Sequence, residues 1–197
     1  MALKVGTLAN NIEATFSKQR DSEASNQQAS ANDFAAAISD YAKDASIIVA
    51  GTPPLIPIPP PAVPTPDASV VGQQAKINPG LAKAGQGMLF PQINTSYTAM
   101  DPTMASISAG IMTYIATFTI FSIGGVTCTG ATVPTAPPVF APATAVGMNG
   151  GSIKDVAGTL ADIIHLTFST AIFNGTVINA ATGAVLPGVL APAKLKK

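Results

Sequence analysis

The sequence predicts a mainly α protein with small β elements, an α+β chain of helix, hairpin and Pro-rich strap units that is extended rather than compact. Three observations carry that expectation: apolar residues recur at helical spacing in several stretches, glycine and proline clusters end those stretches, and charge is scarce. Only 10% of the 197 residues are charged, against about 25% in an ordinary soluble domain. Ten Lys+Arg balance ten Asp+Glu, so no basic footprint for nucleic acid exists. Hydrophobic residues reach 47%, yet aromatics make up 6%, Trp is absent, and Gly and Pro each number 17. Much of any buried surface is therefore built from small side chains.

Taken in order, Thr7 is placed to cap a first helix whose Leu8, Ile12 and Phe16 recur every four positions on one face. The polar run Gln19 to Gln28 reads as a linker or exposed turn, too poor in apolar residues to offset its ordering entropy. Ser30 and Asp33 have capping-box spacing, and Phe34, Ile38, Tyr41 and Ala45 continue a second helix towards Gly51. Residues 52–66, TPPLIPIPPPAVPTP, form a stiff extended strap, because proline removes amide donors and fixes φ. The strap lacks the basic residue common in ligands of aromatic-lined grooves, so a spacer is expected. Residues 67–100 receive no element, with turns marked by Asn78-Pro79-Gly80 and Gly85-Gln86-Gly87.

Asp101-Pro102 announces an uncharged helix reaching Gly124-Gly125. Ile107, Ile111, Tyr114, Phe118 and Phe121 are spaced 4-3-4-3 along it, the seam of a helix packed on another helix. The opposite side holds Ser106, Gly110, Thr113 and Thr117, small or polar without charge, so both faces expect a neighbour. A further helix starts at the capping-box pair Ser152 and Asp155, carries Leu160, Ile163, Ile164 and Phe168, and is expected to end at Asn174-Gly175. At an offset of 50, residues 117–142 and 167–192 match at nine positions, among them Thr117/Thr167, Phe118/Phe168 and Gly125/Gly175. The repeated unit is a helix, a glycine stop, a hairpin (VTCTGATV and TVINAATGAV) and a Pro-terminated exit. The chain thus divides into four regions: an N-terminal helical region 1–50, a strap and linker 51–100, and two copies of the unit, 101–150 and 151–197.

No residue set calls for chemistry. One Cys, Cys128, and one His, His165, make neither a disulfide framework nor an ordinary zinc site. Asp162, His165 and Ser169 share one side of a straight helix, where the strained turn and oxyanion hole of a serine nucleophile are missing, so a polar stripe with an Asp162 to His165 contact is expected. Cys128 has no neighbouring base to lower its pKa. The glycines accompany no phosphate-binding pattern. The expectation is no catalytic residue, no metal and no cofactor.

Ala105 to Val126 is an uncharged stretch of 22 residues, long enough to span a bilayer. Its Ser/Thr hydroxyls and missing flanking cations argue against that, as do Asp162 and His165 in the matching helix. The segment after Met1 lacks the apolar run of a secretory signal, so synthesis in a cytoplasm is expected.

Helices rich in Ala and Phe that run into glycine and then a Pro-rich exit, as in Phe118 to Pro138 and Phe34 to Pro54, resemble the structural proteins of tailed-bacteriophage virions. The resemblance implies a protein of the particle itself, located in the virion, in its tail, baseplate, neck or capsid shell. It implies no enzymatic residues. The expected function is structural: uncharged helix faces and extended straps join neighbouring subunits, with other particle proteins and copies of the chain as partners. Ile107, Ile111, Tyr114, Phe118 and Phe121, with Leu160, Ile164 and Phe168, are the expected interface, and Phe118→Asp is expected to block assembly more than helix formation. The alternative is a small membrane-embedded protein, holin-like or a channel component, spanning with 105–126.

Overall fold

A computed structural model describes residues 4–22, 26–43, 45–48, 50–51, 74–77, 79–118, 120–123, 126–178, 190–191 and 193–196. The proline stretch 52–66 lies outside them. Helices α1 (Val5–Asp21) and α2 (Gln27–Ala42) form where the apolar spacing predicts them. Leu8 and Ile12 face Phe34, Ile38 and Tyr41 in the core, and the rings of Phe16 and Phe34 meet edge-on at 5.8 Å. The caps differ from expectation. Thr7 lies inside α1, and α2 is capped by Asn26, whose side chain accepts from the Ala29 amide at 3.1 Å. Ser30 and Asp33 instead tie the two helices together: Ser30 donates to Gln19 at 2.8 Å, and Lys18 donates to Asp33 at 2.8 Å.

α3 (Pro79–Thr98) replaces the two turns predicted at residues 78–80 and 85–87. Pro79 begins it, where a missing amide costs nothing. Gly85 is there for packing: a Cβ at that position would stand 2.2 Å from Cζ of Tyr114 on the next helix. Pro91 and Gly87 both face solvent, so the carbonyl that proline leaves unbonded can reach water. The next helix, α4, covers only Ala105–Ala116, and its cap position is held by Met104 rather than Asp101, with Pro102 ahead of the first helical residue. Asp101 reaches it from outside, accepting from the amides of Thr103 and Ala105 at 2.8 and 2.9 Å. The predicted helix to residue 124 is thus cut short. Its 12 residues rise about 18 Å at 1.5 Å each, against the ~30 Å of a bilayer core. Among the described residues no helix is long and apolar enough to cross a membrane.

After α5 (Ala141–Met148), α6 (Ile153–Thr170) opens with the predicted capping box, in which Ser152 and Asp155 satisfy each other's amides. It ends at Thr170, not at Asn174-Gly175, because Ala171 is already extended.

The strands are β1 (Ser46–Ile48), β2 (Ala50–Gly51), β3 (Gln74–Ile77), β4 (Ile120–Ile123), β5 (Val126–Val133), β6 (Ile172–Ile178), β7 (Leu190–Ala191) and β8 (Ala193–Lys196). VTCTGATV is one strand, β5, not a hairpin; it pairs with β4 from Ile123↔Val126 and with β6 to Val133↔Ile172. Of TVINAATGAV, Thr176 to Ile178 complete β6 and the rest lies outside the described residues. Six strands close an antiparallel barrel in the order β1-β3-β4-β5-β6-β8, with β8 returning to β1 through Ser46↔Lys196. β2 and β7 form a separate pair. The offset-50 pairs occupy unlike positions: Thr117 follows the last turn of α4, whereas Thr167 is inside α6.

Among the described residues the protein is mainly helical, and buried side chains from all six helices form one hydrophobic cluster rather than separate extended units. α2, α4 and α6 run into β1, β4 and β6, while β3 runs into α3. One pole of the helical layer therefore rests on the barrel; the opposite pole is free of it among the described residues. Thr132 of β5 joins the two layers, donating to the Phe118 carbonyl at 2.9 Å in a buried position.

Glycine substitution separates packing from propensity. Gly85→Ala should destabilise by about 1–3 kcal/mol through the clash with Tyr114. Gly158→Ala, in α6 with open space around the site, should stabilise by about 0.5–1 kcal/mol. Chemical denaturation of both variants checks the contrast.

Candidate functional site

The residues expected at an intermolecular interface are inside the chain. Ile107, Ile111, Tyr114, Phe118, Leu160, Ile164 and Phe168 are all 0% exposed. Their seam is the chain's own core. Phe168 of α6 stands 6.1 Å from Phe118 and 6.2 Å from Tyr114, those two lie 4.9 Å apart, and Tyr41 of α2 approaches Phe168 at 5.5 Å. Phe121 is not on the seam at all: it stands in β4, opposite Cys128 of β5. Phe118→Asp would place an unpaired charge in this cluster and so would test folding, not assembly.

The polar stripe of α6 also divides. His165 turns inward, and its Nδ1 is hydrogen-bonded to the Tyr41 hydroxyl. Asp162 is exposed, and Ser169 donates to the Leu166 carbonyl at 3.1 Å. No local spacing announces the buried Tyr41–His165 pair, whose members are 124 residues apart. Burial pushes the Tyr41 and Tyr114 hydroxyls well above the usual tyrosine range, and Tyr97 up to about 12. The carboxyls of Asp101 and Asp155 lie below theirs, held down first by the side-chain hydroxyls of Thr103 and Ser152. Among the described residues no group of His, Cys, Asp or Glu could hold a metal ion.

Among the described residues the surface carries three concavities of about 300 Å³. The one between α1 and α2 is about 310 Å³ and is lined by Lys18, Asp33 and Asp40 among others, and the other two are less charged. One, of about 300 Å³, is bounded by Thr135, Pro137 and Val139 on one side and Ile163, Leu166 and Thr170 of α6 on the other. The segment 134–140 is fixed there by Thr135, which donates to the Thr170 carbonyl at 3.4 Å, and by Ser108 of α4, which donates to the Pro138 carbonyl at 3.0 Å. None of the described lining residues is charged. Val139 is 64% and Leu166 62% exposed. The second, about 310 Å³, lies at the free pole, where α1 and α3 end and α2 and α4 begin, with Phe16, Tyr97 and Asp101 in its wall. No protein-family model, curated protein or solved structure matches the chain.

The three tyrosines of this sequence are all shifted upward, which sets an alkaline limit. An unfolded tyrosine loses its proton near pH 10, while the folded protein retains it, so stability is intact below that pH and falls above it. The loss is up to about 1.4 kcal/mol per tyrosine per pH unit. Tyrosinate absorbance should therefore rise together with loss of helical signal rather than before it. Titration of the tyrosines in a still-helical protein would contradict their burial.

Proposed function

We propose that this chain is a non-enzymatic structural component of a large repeated assembly, a tailed-phage virion with the tail or baseplate region favoured. The observation that supports this reading best is the uncharged groove between residues 135–139 and α6. Leu166 and Val139 keep most of their surface in water there, at a cost that burial against a neighbour would recover as roughly 1.5–3 kcal/mol per side chain. The groove is held open by backbone-directed hydrogen bonds from Thr135 and Ser108, so an incoming subunit meets a preformed surface with little ordering cost. A net charge of +0 with only 10% charged residues favours association over dispersal. The interface thus moves from the α4 seam to the outer face of α6, and the partners remain other particle proteins and copies of the chain.

Sedimentation of the protein in detergent-free buffer, with a lipid-flotation control, tests the reading. The wild-type chain is expected to form discrete protein-only oligomers or to co-sediment with particle proteins. Leu166→Asp combined with Val139→Asp should reduce that association at least tenfold with helical content unchanged, whereas Ala84→Asp, on the exposed side of α3, should not. Flotation with lipid, or association unaffected by the double change, would refute it.

A further inference from the structure

The cleft at the free pole has a different chemistry from the groove on α6. Its apolar wall is Phe16, Met100 and Met104, and its polar groups are Gln19, Tyr97 and Asp101. Two more neutral groups, Gln27 and Ser96, line it as well, so among the described residues Asp101 is its only charge. The nearest cations in sequence are already engaged: Lys18 pairs with Asp33 at 2.8 Å and Arg20 with Asp21 at 2.6 Å. Asp101 carries its charge at neutral pH, because Thr103 and the Ala105 amide donate to it. Tyr97 places its hydroxyl out of solvent, without a hydrogen bond of ordinary geometry, beside the Ser30 hydroxyl that already donates to Gln19.

The backbone around Asp101 is also costly. Met100 and Met104 both adopt left-handed conformations, with φ of 49° and 52°, each about 1–2 kcal/mol less favourable than the right-handed form for a residue with a Cβ. Met100 leaves its side chain 83% exposed as well. Glycine would remove the strain and the exposed apolar surface together, so the methionine side chains are what the strain retains. They bracket Asp101 with two flexible, polarisable thioethers.

Three kinds of occupant can be compared. An anion would be repelled by Asp101. A purely apolar group would strip water from the carboxylate and supply nothing in return. A cation on an aliphatic stem satisfies both sides of the cleft, its head on the carboxylate and its stem against the apolar wall. We infer that this cleft is a socket for a basic side chain of a neighbouring protein chain, its ammonium or guanidinium meeting Asp101 and its stem lying against Phe16, Met100 and Met104. The inference that the cation comes from a neighbouring chain rests on the assembly reading; the cation chemistry does not.

The full-length protein labelled at its methionine methyls supplies the readout, and Nα-acetyl-lysine methylamide and Nα-acetyl-arginine methylamide serve as probes beside the neutral Nα-acetyl-norleucine methylamide. At low ionic strength the basic probes should shift the Met100 and Met104 resonances saturably and leave Met148 of α5 unmoved. The norleucine probe should bind at least tenfold more weakly. Asp101→Asn removes the charge, keeps one side-chain oxygen for the Thr103 or Ala105 amide, and should weaken the basic probes at least fivefold. Met100→Gly should raise the melting temperature and still weaken binding. Equal binding of norleucine, no saturable shift, or an unchanged affinity in Asp101→Asn overturns the socket. Basic probes that bind while Asp101→Asn assembles as the wild type does overturn the neighbouring chain as source and leave a free organic cation. A wild-type chain that never assembles overturns the assembly reading and, with it, that source, while the titration still judges the cation chemistry.

Discussion

Phe168 stands where three helices meet, and the arrangement of the molecule depends on the contacts of its ring. It touches Tyr41 of α2 and both Tyr114 and Phe118 from the α4 segment, joining stretches of the sequence that share no direct connection. The residues around it are large and buried, so removing any one leaves a cavity that its neighbours cannot fill without moving. Gly85 belongs to the same constraint: α3 approaches closely enough for Tyr114 to lie against bare backbone. His165 is held beside the cluster by the Tyr41 hydroxyl, so the polar edge of the core is hydrogen-bonded as well as packed.

Scarcity of charge has opposite meanings inside and outside this core. Inside, it follows from burial. Outside, on the 135–139 segment and around Leu166 of α6, uncharged side chains meet water one turn from the exposed Asp162, and that placement supports an interface role. The free-pole cleft differs because one carboxylate among neutral groups selects the sign of whatever occupies it. Under the assembly reading proposed above, two surfaces of unlike chemistry at separate places would suit neighbours that differ from one another.

Much of the helical framework was legible. The capping box at Ser152 and Asp155, the apolar faces of α1, α2 and α6, and the buried seam of α4 all follow from local spacing. The seam's partner did not, because periodicity reports that a face is buried and is silent on whether the same chain or another one buries it. The end of α4 was hidden in residues 115–123, IATFTIFSI, a run of β-branched and aromatic side chains that satisfies helical and strand periods alike. α3 was missed because its glycines read locally as breakers, while Gly85 answers to Tyr114 on another helix. The barrel was illegible for a similar reason: strands as short as β1 and β8, three and four residues, carry almost no pattern of their own. The cleft had one sequence signal, the apolar Met100 and Met104 flanking Asp101, but their left-handed backbone has no local signature.

The closing of the barrel by β8 has a temporal side. Ser46 of β1 finds Lys196 of β8, so a strand early in this sequence waits for its partner on one far along it. Until then β1 and β6 each present an open edge, and non-local pairing of this kind is slow to form. The helices can gather around their aromatic centre earlier, since every member of that cluster precedes residue 170. Pairing of the four-residue β8 with both neighbours is what removes the exposed edges of β1 and β6.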